Sequence, residues 1–353
     1  MSDWDSSRDD EVAKEEGLRQ AALEAEKRGT YGDLVPEGEG ENTAYAPGPT
    51  TPEATTATAA AAAATGGEAP TRQATLWGDA WRQLRKNPLF LISSVVVLFF
   101  TIMAIAPGLF TNQDPRFCDL SHSVETPSAS HWFGYDVQGC DYFARVVHGA
   151  RVSMTIGVLV VLVEGVISLF LGAIAGYYGG LTDSIIARFA DIIFAIPITL
   201  GGIVILSALQ ERGVIQVALV LVLLGWPLMM RLVRSSVLSV KEADYVQAGR
   251  SLGAGDFRLL RTHILPNAIA PAIVYGTITV GIIIAAEAAL SFIGAGLQLP
   301  EISWGLQIGG AQNRIATSPH LLLFPASFLS ILVLSFILMG DALRDALDPK
   351  LRR

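Results

Sequence analysis

The chain has 353 residues, of which 51% are hydrophobic and only 16% charged. Soluble domains average about 25% charged residues, so the composition excludes an ordinary soluble globular protein. The net charge of −8 belongs to one end: fifteen acidic and five basic residues lie between Met1 and Pro70, and the remaining 283 residues carry 18 and 20. It therefore gives no argument for a nucleic-acid partner or an acidic substrate.

Residues 1–75 read as a disordered acidic tail. "TTPEATTATAAAAAATGGEAP" is low-complexity sequence with no apolar period to bury, although the Ala, Glu and Lys of "DDEVAKEEGLRQAALEAEKRG" favour a weak helix. A signal peptide would place its apolar core within the first ~30 residues; here the first apolar run starts at Leu89.

Residues 76–353 read as a membrane domain. A spanning helix needs about 20 mostly apolar residues. Six segments meet or approach that length: Leu89–Phe110, Ser153–Ala175, Ile185–Ala208, Val214–Met230, Ala268–Gly294 and Leu321–Met339. Backbone amides in lipid must pair within their own segment, so each is expected to be helical, with kinks at Pro197, Pro227 and Pro271. Lys and Arg of short loops concentrate on the cytoplasmic side. Arg82, Arg85 and Lys86 precede the first span. Arg231, Arg234, Lys241, Arg250, Arg258 and Arg261 surround the fourth loop, and Arg344, Lys350, Arg352 and Arg353 follow the last span. This bias predicts six spans in a cell membrane with both termini cytoplasmic, residues 111–151 outside and residues 241–267 inside.

Between spans one and two lie both cysteines, Cys118 and Cys140; with His122 or His131 they are too few and too loosely spaced for a metal site. Within the spans, charged side chains are costly and face the bundle or a cavity. Glu164 lies mid-span in the second, Asp191 near the start of the third and Glu287 in the fifth. Glu164 fits a buried protonated or hydrogen-bonded carboxyl better than a contact to a cargo's ammonium group. Gly157, Gly165, Gly276 and Gly281 fit close helix packing rather than a pocket.

The stretch "EADYVQAGRSLGAGDFRLLRTHILPN" interrupts the apolar pattern between spans four and five. It reads as a short helix stopped at Gly253, then Asp256 as N-cap of a second helix that Pro266 ends. Small residues Ala248, Gly249 and Gly253 allow another surface to approach, and Tyr245 and Leu252 offer apolar contacts beside them. A hairpin that merely caps the bundle and an element that receives a push from a soluble partner fit these residues equally. After the last span, Asp341, Asp345 and Asp348 with Arg344 read as a solvated helix end with internal ion pairs.

Gln247, Ala248 and Gly249, then Gly253, then Leu265 and Pro266, resemble the EAA motif of binding-protein-dependent ABC-transporter permeases, with Gln in place of Glu and Gly in place of the second Ala. "HWFGYDVQGCDYFARVVHGARVS" is similar to the segment before the second helix of the C-type permeases of dipeptide/oligopeptide/nickel importers: Gly134, Asp136, Gly139, Asp141, Arg145, Gly149, Ala150, Arg151 and Ser153 match, and Tyr135 and Cys140 depart. "AEAALSFIGAGLQLPEISWGLQI" and "MGDALRDALDPKLRR" resemble two further elements of that family.

The resemblance implies an all-α integral-membrane fold of six helices like a type I ABC importer. It makes Tyr245, Gln247, Ala248, Gly249, Leu252 and Gly253 a coupling helix that docks on an ATPase, and gives Glu287 a structural or gating hydrogen bond. It also implies the partners: a second permease subunit, two ATPase subunits or domains, and an extracytoplasmic binding protein delivering peptides, all in membrane lipid. Cys140 stands where the family usually has arginine, and the only other cysteine lies in the same extracytoplasmic segment, where disulfides persist. Pairing of Cys118 with Cys140 is thereby favoured over two free thiols. No G-x-x-x-x-G-K-[S/T] phosphate loop occurs in the chain, so it is expected to be non-catalytic and to bind no cofactor itself, with ATP and Mg held by the ATPase partners. The competing readings are an ion- or proton-coupled secondary carrier using Glu164, Asp191 or Glu287, and a membrane scaffold whose tail recruits partners.

Overall fold

The computed structural model describes residues 76–347. The expectations for residues 1–75 and for Asp348 and the basic residues beyond it fall outside them. Among the described residues there is no strand; two isolated antiparallel bridges join Cys118 to Cys140 and Tyr135 to Asp141. The helices are α1 (Leu76–Leu84), α2 (Pro88–Ile105), α3 (Tyr142–Tyr178), α4 (Gly180–Phe194), α5 (Ile198–Ser207), α6 (Val214–Lys241), α7 (Asp244–Ser251) and α8 (Asp256–Leu259). A π-helical turn, Leu260–Ile264, leads into α9 (Leu265–Ala268), followed by α10 (Ala270–Phe292), α11 (Trp304–Ala311) and α12 (His320–Leu347).

Five of these, α2, α3, α6, α10 and α12, are long and apolar enough to cross a membrane; α4 and α5, bent by 78° at a short break, make a sixth when the pair is counted as one span. The bend falls at Ala195–Pro197, where proline supplies no amide to continue the helix. Pro227 sits instead inside an unbroken α6, and Pro271 in the first turn of α10, where its missing N–H costs nothing. Successive crossings alternate in direction. One end of the bundle carries the segment between α2 and α3 (the cap end), the other α7 to α9 (the loop end).

Two helices are much longer than their apolar runs. α3 begins at Tyr142, eleven residues before the expected start, because its charged residues find partners: Arg145 is paired with Asp136, and Arg151 donates to the carbonyls of Ala104 (2.9 Å) and Ile105 (3.1 Å), closing the end of α2. α6 runs on to Lys241 because Arg231 and Arg234 pair with Asp191 and Asp183 of α4.

The extensive α3–α6 contact rests on small residues. A Cβ on Gly172 would lie 2.8 Å from the Met230 carbonyl oxygen, and one on Gly176 2.9 Å from that of Arg234. This spacing of four brings two backbones together as in membrane helix pairs generally. Between them Ser168 donates to the Trp226 carbonyl at 3.0 Å. Gly157 and Gly281 also meet neighbouring helices closely, at Ile284 and Val333, whereas Gly165 has only the Met229 sulfur, 3.9 Å from its would-be Cβ. The core of the cap end is built on Trp304, fully buried, with Nε1 donating to Val146 O at 2.8 Å and its ring edge-on to Phe100.

Candidate functional site

Between α6 and α10 the chain forms a helical hairpin. α7 ends in a Schellman motif: Gly253 takes φ +83°, its N–H donates to Arg250 O (3.0 Å), and the Ala254 N–H donates to Gly249 O (3.1 Å). A side chain at Gly253 would be strained. The expected second helix differs in two respects. Gly255 is its cap and Asp256 its first residue, because the Asp256 carboxylate accepts instead from the Tyr177 hydroxyl at 2.6 Å. Pro266 does not end it: the π turn widens the helix by one residue, and Pro266 lies in the first turn of α9, where it displaces no hydrogen bond.

The hairpin is bolted to the bundle from beneath. Val246, Leu259 and Ile264 are fully buried with Val233, Val237 and Tyr177. Lys241 donates to the Tyr177 carbonyl at 2.8 Å, and the Gln247 amide donates to Lys241 O at 3.2 Å. Gly249 packs on Leu259, whose Cδ2 would be 3.1 Å from an added Cβ. The opposite face is bare. Tyr245 is 47% exposed, Phe257 75% and Leu252 89%, with Ala248 and Gly253 exposed among them. Phe257 was absent from the sequence-based set; an aromatic residue directly after a helix start in a polar loop was its signal.

The three span carboxyls have unlike surroundings. Glu287, fully buried, accepts from Ser291 (2.8 Å), Ser303 (3.0 Å) and Ser153 (3.3 Å), joining α10, α3 and the start of α11. Glu164 is also buried, wedged against Gly225 of α6, and its Oε1 makes no hydrogen bond. Asp191 departs from the expected buried charge near a helix start: it lies on the last turn of α4, half exposed, 2.7 Å from Arg231, whose guanidinium lies 4.4 Å from the Phe194 ring centre.

At the cap end Cys118 and Cys140 form a disulfide. Gly134 and Gly139 take φ +71° and +74° with backbone from Glu125–Thr126 and Asp119 against them, so neither position admits a side chain. Asp136 accepts from the Cys140 N–H (2.9 Å) and Arg145; Asp141 caps α3 through the Ala144 N–H (2.8 Å) and binds His131 Nδ1 (2.8 Å). Gly149 leaves room for Trp304 and Gln307, and the Gln307 amide donates to Arg145 O at 2.8 Å. The matching residues of this segment thus build the cap and the start of α3 on which it sits.

Residues 168–353, from the middle of α3 through the hairpin to the end of α12, match the family model described as the binding-protein-dependent transport system inner membrane component. The chain belongs to this family. Residues 75–126 match a second model, the N-terminal TM domain of oligopeptide transport permease C. The oligopeptide transport system permease protein OppC of Bacillus subtilis (strain 168) is 38% identical over 282 residues, 80% of this chain and 92% of the relative. The dipeptide transport system permease protein DppC of the same organism is 39% identical over 276 residues, covering 78% and 86%. The glutathione transport system permease protein GsiD of Pectobacterium atrosepticum is 36% identical over 279 residues, covering 79% and 92%. As a member of the inner-membrane-component family the chain is a multi-pass, non-catalytic permease subunit of an ABC transporter.

Proposed function

We propose that the chain forms half of the translocation path of an ATP-driven importer for peptides, and that its α7–α8 hairpin is the element on which an ATPase acts. The bare face of Tyr245, Leu252 and Phe257 on a hairpin otherwise fixed to the bundle carries this reading. An exposed apolar surface held rigidly outside the spans is suited to a protein partner. The peptide cargo is supported by the relatives' names, which cover oligopeptides, dipeptides and glutathione. The loop end then faces the cytoplasm, in keeping with the Lys and Arg bias, and the cap faces the delivering binding protein. A second permease subunit completes the path, and two ATPase subunits hold ATP and Mg.

Docking alone shifts no equilibrium; the ATPases must hold the hairpin differently in their open and closed states. Val246, Leu259 and Ile264 root the hairpin among residues of α6 and α3, so displacement of its outer face is carried into two spans.

Co-purification from native membranes tests the reading. A second permease and P-loop ATPases are expected in stoichiometric amounts. Leu252→Glu with Phe257→Glu is expected to abolish peptide uptake while the second permease still co-purifies. Uptake by the purified chain without any ATPase would overturn the reading in favour of a carrier.

A further inference from the structure

Ahead of the first span lies a feature that the transport reading does not use. α1 is amphipathic: Ala80 and Leu84 are buried against Ala346 and against Phe90, Leu343 and Leu347, so its inner face is occupied by the last turns of α12 and the start of α2. Its outer face carries Trp81, 51% exposed, followed by exposed Arg85 and Lys86. The Arg85 guanidinium lies 5.4 Å from the Trp81 ring centre. Asn87 then caps α2 through the Leu89 N–H at 2.9 Å, and the lipid-facing run of Leu89, Leu91 and Ile92 begins at once.

We infer that Trp81, Arg85 and Lys86 form a binding site for the headgroup of an anionic phospholipid. Depth is the first argument. The two cations stand within four residues of exposed apolar side chains of a spanning helix, which places them at the headgroup layer, where indole rings also partition. Charge is the second: no Asp or Glu occurs from Ala80 to Ile105. Among the described residues Lys86 has no side-chain partner, and Arg85 has only the ring. The exposed carboxylates of α12, Asp341 and Asp345, form no ion pair with either cation. Shape is the third. Ala80 and Leu84 are already covered by the protein, so this part of α1 is held along the bundle, and Trp81, Arg85 and Lys86 are offered outward. A phosphate with a negatively charged or hydroxylated headgroup matches that edge, since Arg and Lys donate to phosphate oxygens and the indole N–H to glycerol or phosphate.

The site is tested by titrating the full-length chain in detergent with phosphatidylglycerol or phosphatidylcholine and counting bound lipid by native mass spectrometry. The native chain is expected to prefer phosphatidylglycerol. Arg85→Gln with Lys86→Gln is expected to weaken that preference roughly fivefold per cation removed, and Arg85→Lys with Lys86→Arg to retain it. Arg344→Gln, a charge at the same end of the bundle on another helix, is expected to leave it unchanged. Equal binding of the two lipids by the native chain, an undiminished preference in the neutral pair, or an equal loss in Arg344→Gln would each overturn the inference. The charge-retaining pair separates loss of charge from loss of the helix.

Discussion

Tyr177, on the last full turn of α3, donates its hydroxyl hydrogen to the carboxylate of Asp256 at 2.6 Å, seventy-nine residues further along the chain. It is a direct polar link between the longest helix and the hairpin. Hydrogen bonds to charged groups contribute about 1.5–3 kcal/mol, less where solvent reaches them. Tyr177→Phe is therefore expected to loosen the hairpin by about 1 kcal/mol, read as faster amide exchange over residues 244–264 with the spans unchanged.

Among the described residues Glu287 is the sole acceptor for three serine hydroxyls drawn from separate elements. Replacing it with alanine leaves these buried donors unmet, at a cost of more than about 3 kcal/mol. Glu287→Gln keeps an acceptor and should lose less than half of that. Thermal unfolding in detergent ranks the variants, and a Glu287→Ala protein melting like the native one would remove the network from any structural role.

At the α3–α6 contact, Gly172→Val and Gly176→Val push a side chain into the backbone of Met230 or Arg234. Overpacking of this kind costs about 1–3 kcal/mol or more. Gly165→Ala, with only the Met229 sulfur nearby, is the contrasting case and should be neutral in the same melting assay.

The disulfide spans a sequence separation of 22. Chain entropy alone assigns a loop of that length ~3 kcal/mol. The Cys118→Ser/Cys140→Ser protein should show fast exchange across residues 118–140 while α10 and α12 keep their protection.

His122 in the cap is held above its ordinary pKa by its hydrogen bond to Glu125 (3.0 Å) and that residue's charge. A raised folded-state value means that the stabilisation is complete below the unfolded value of 6.5 and is lost as pH rises through the folded one. The cap should therefore open more readily above neutral pH than at pH 6, and His122→Gln should flatten the dependence. An identical pH profile in that variant would exclude His122 as its source.

Spans were legible in the sequence because lipid leaves the backbone little choice, and the stop at Gly253 because few other residues adopt its φ. Helix ends were not. A hydropathy window treats Arg145, Arg151, Arg231 and Arg234 as terminators, yet each is neutralised or bonded by a group distant in sequence, and the helices run through them. Asp256 shows the same limit: its local sequence says cap, but Tyr177 arrives from α3 and takes the carboxylate. In the candidate site, the exposure of Tyr245, Leu252 and Gly253 was readable from a loop-like context, while that of Phe257 was not, because on the four-residue α8 it is Leu259 that turns inward.

α3 has 37 residues and no break, so it is roughly 55 Å long, well beyond the ~30 Å of bilayer hydrocarbon. One tip is gripped by Asp141 beside the disulfide, the other by Lys241 and Asp256. The closest approach of α3 to the α6 backbone, at Gly172 and Gly176, lies nearer the hairpin than the cap. Because one unbroken helix reaches both, cap and hairpin hang on the same stiff element, and a tilt of α3 would displace its two tips together at opposite membrane surfaces.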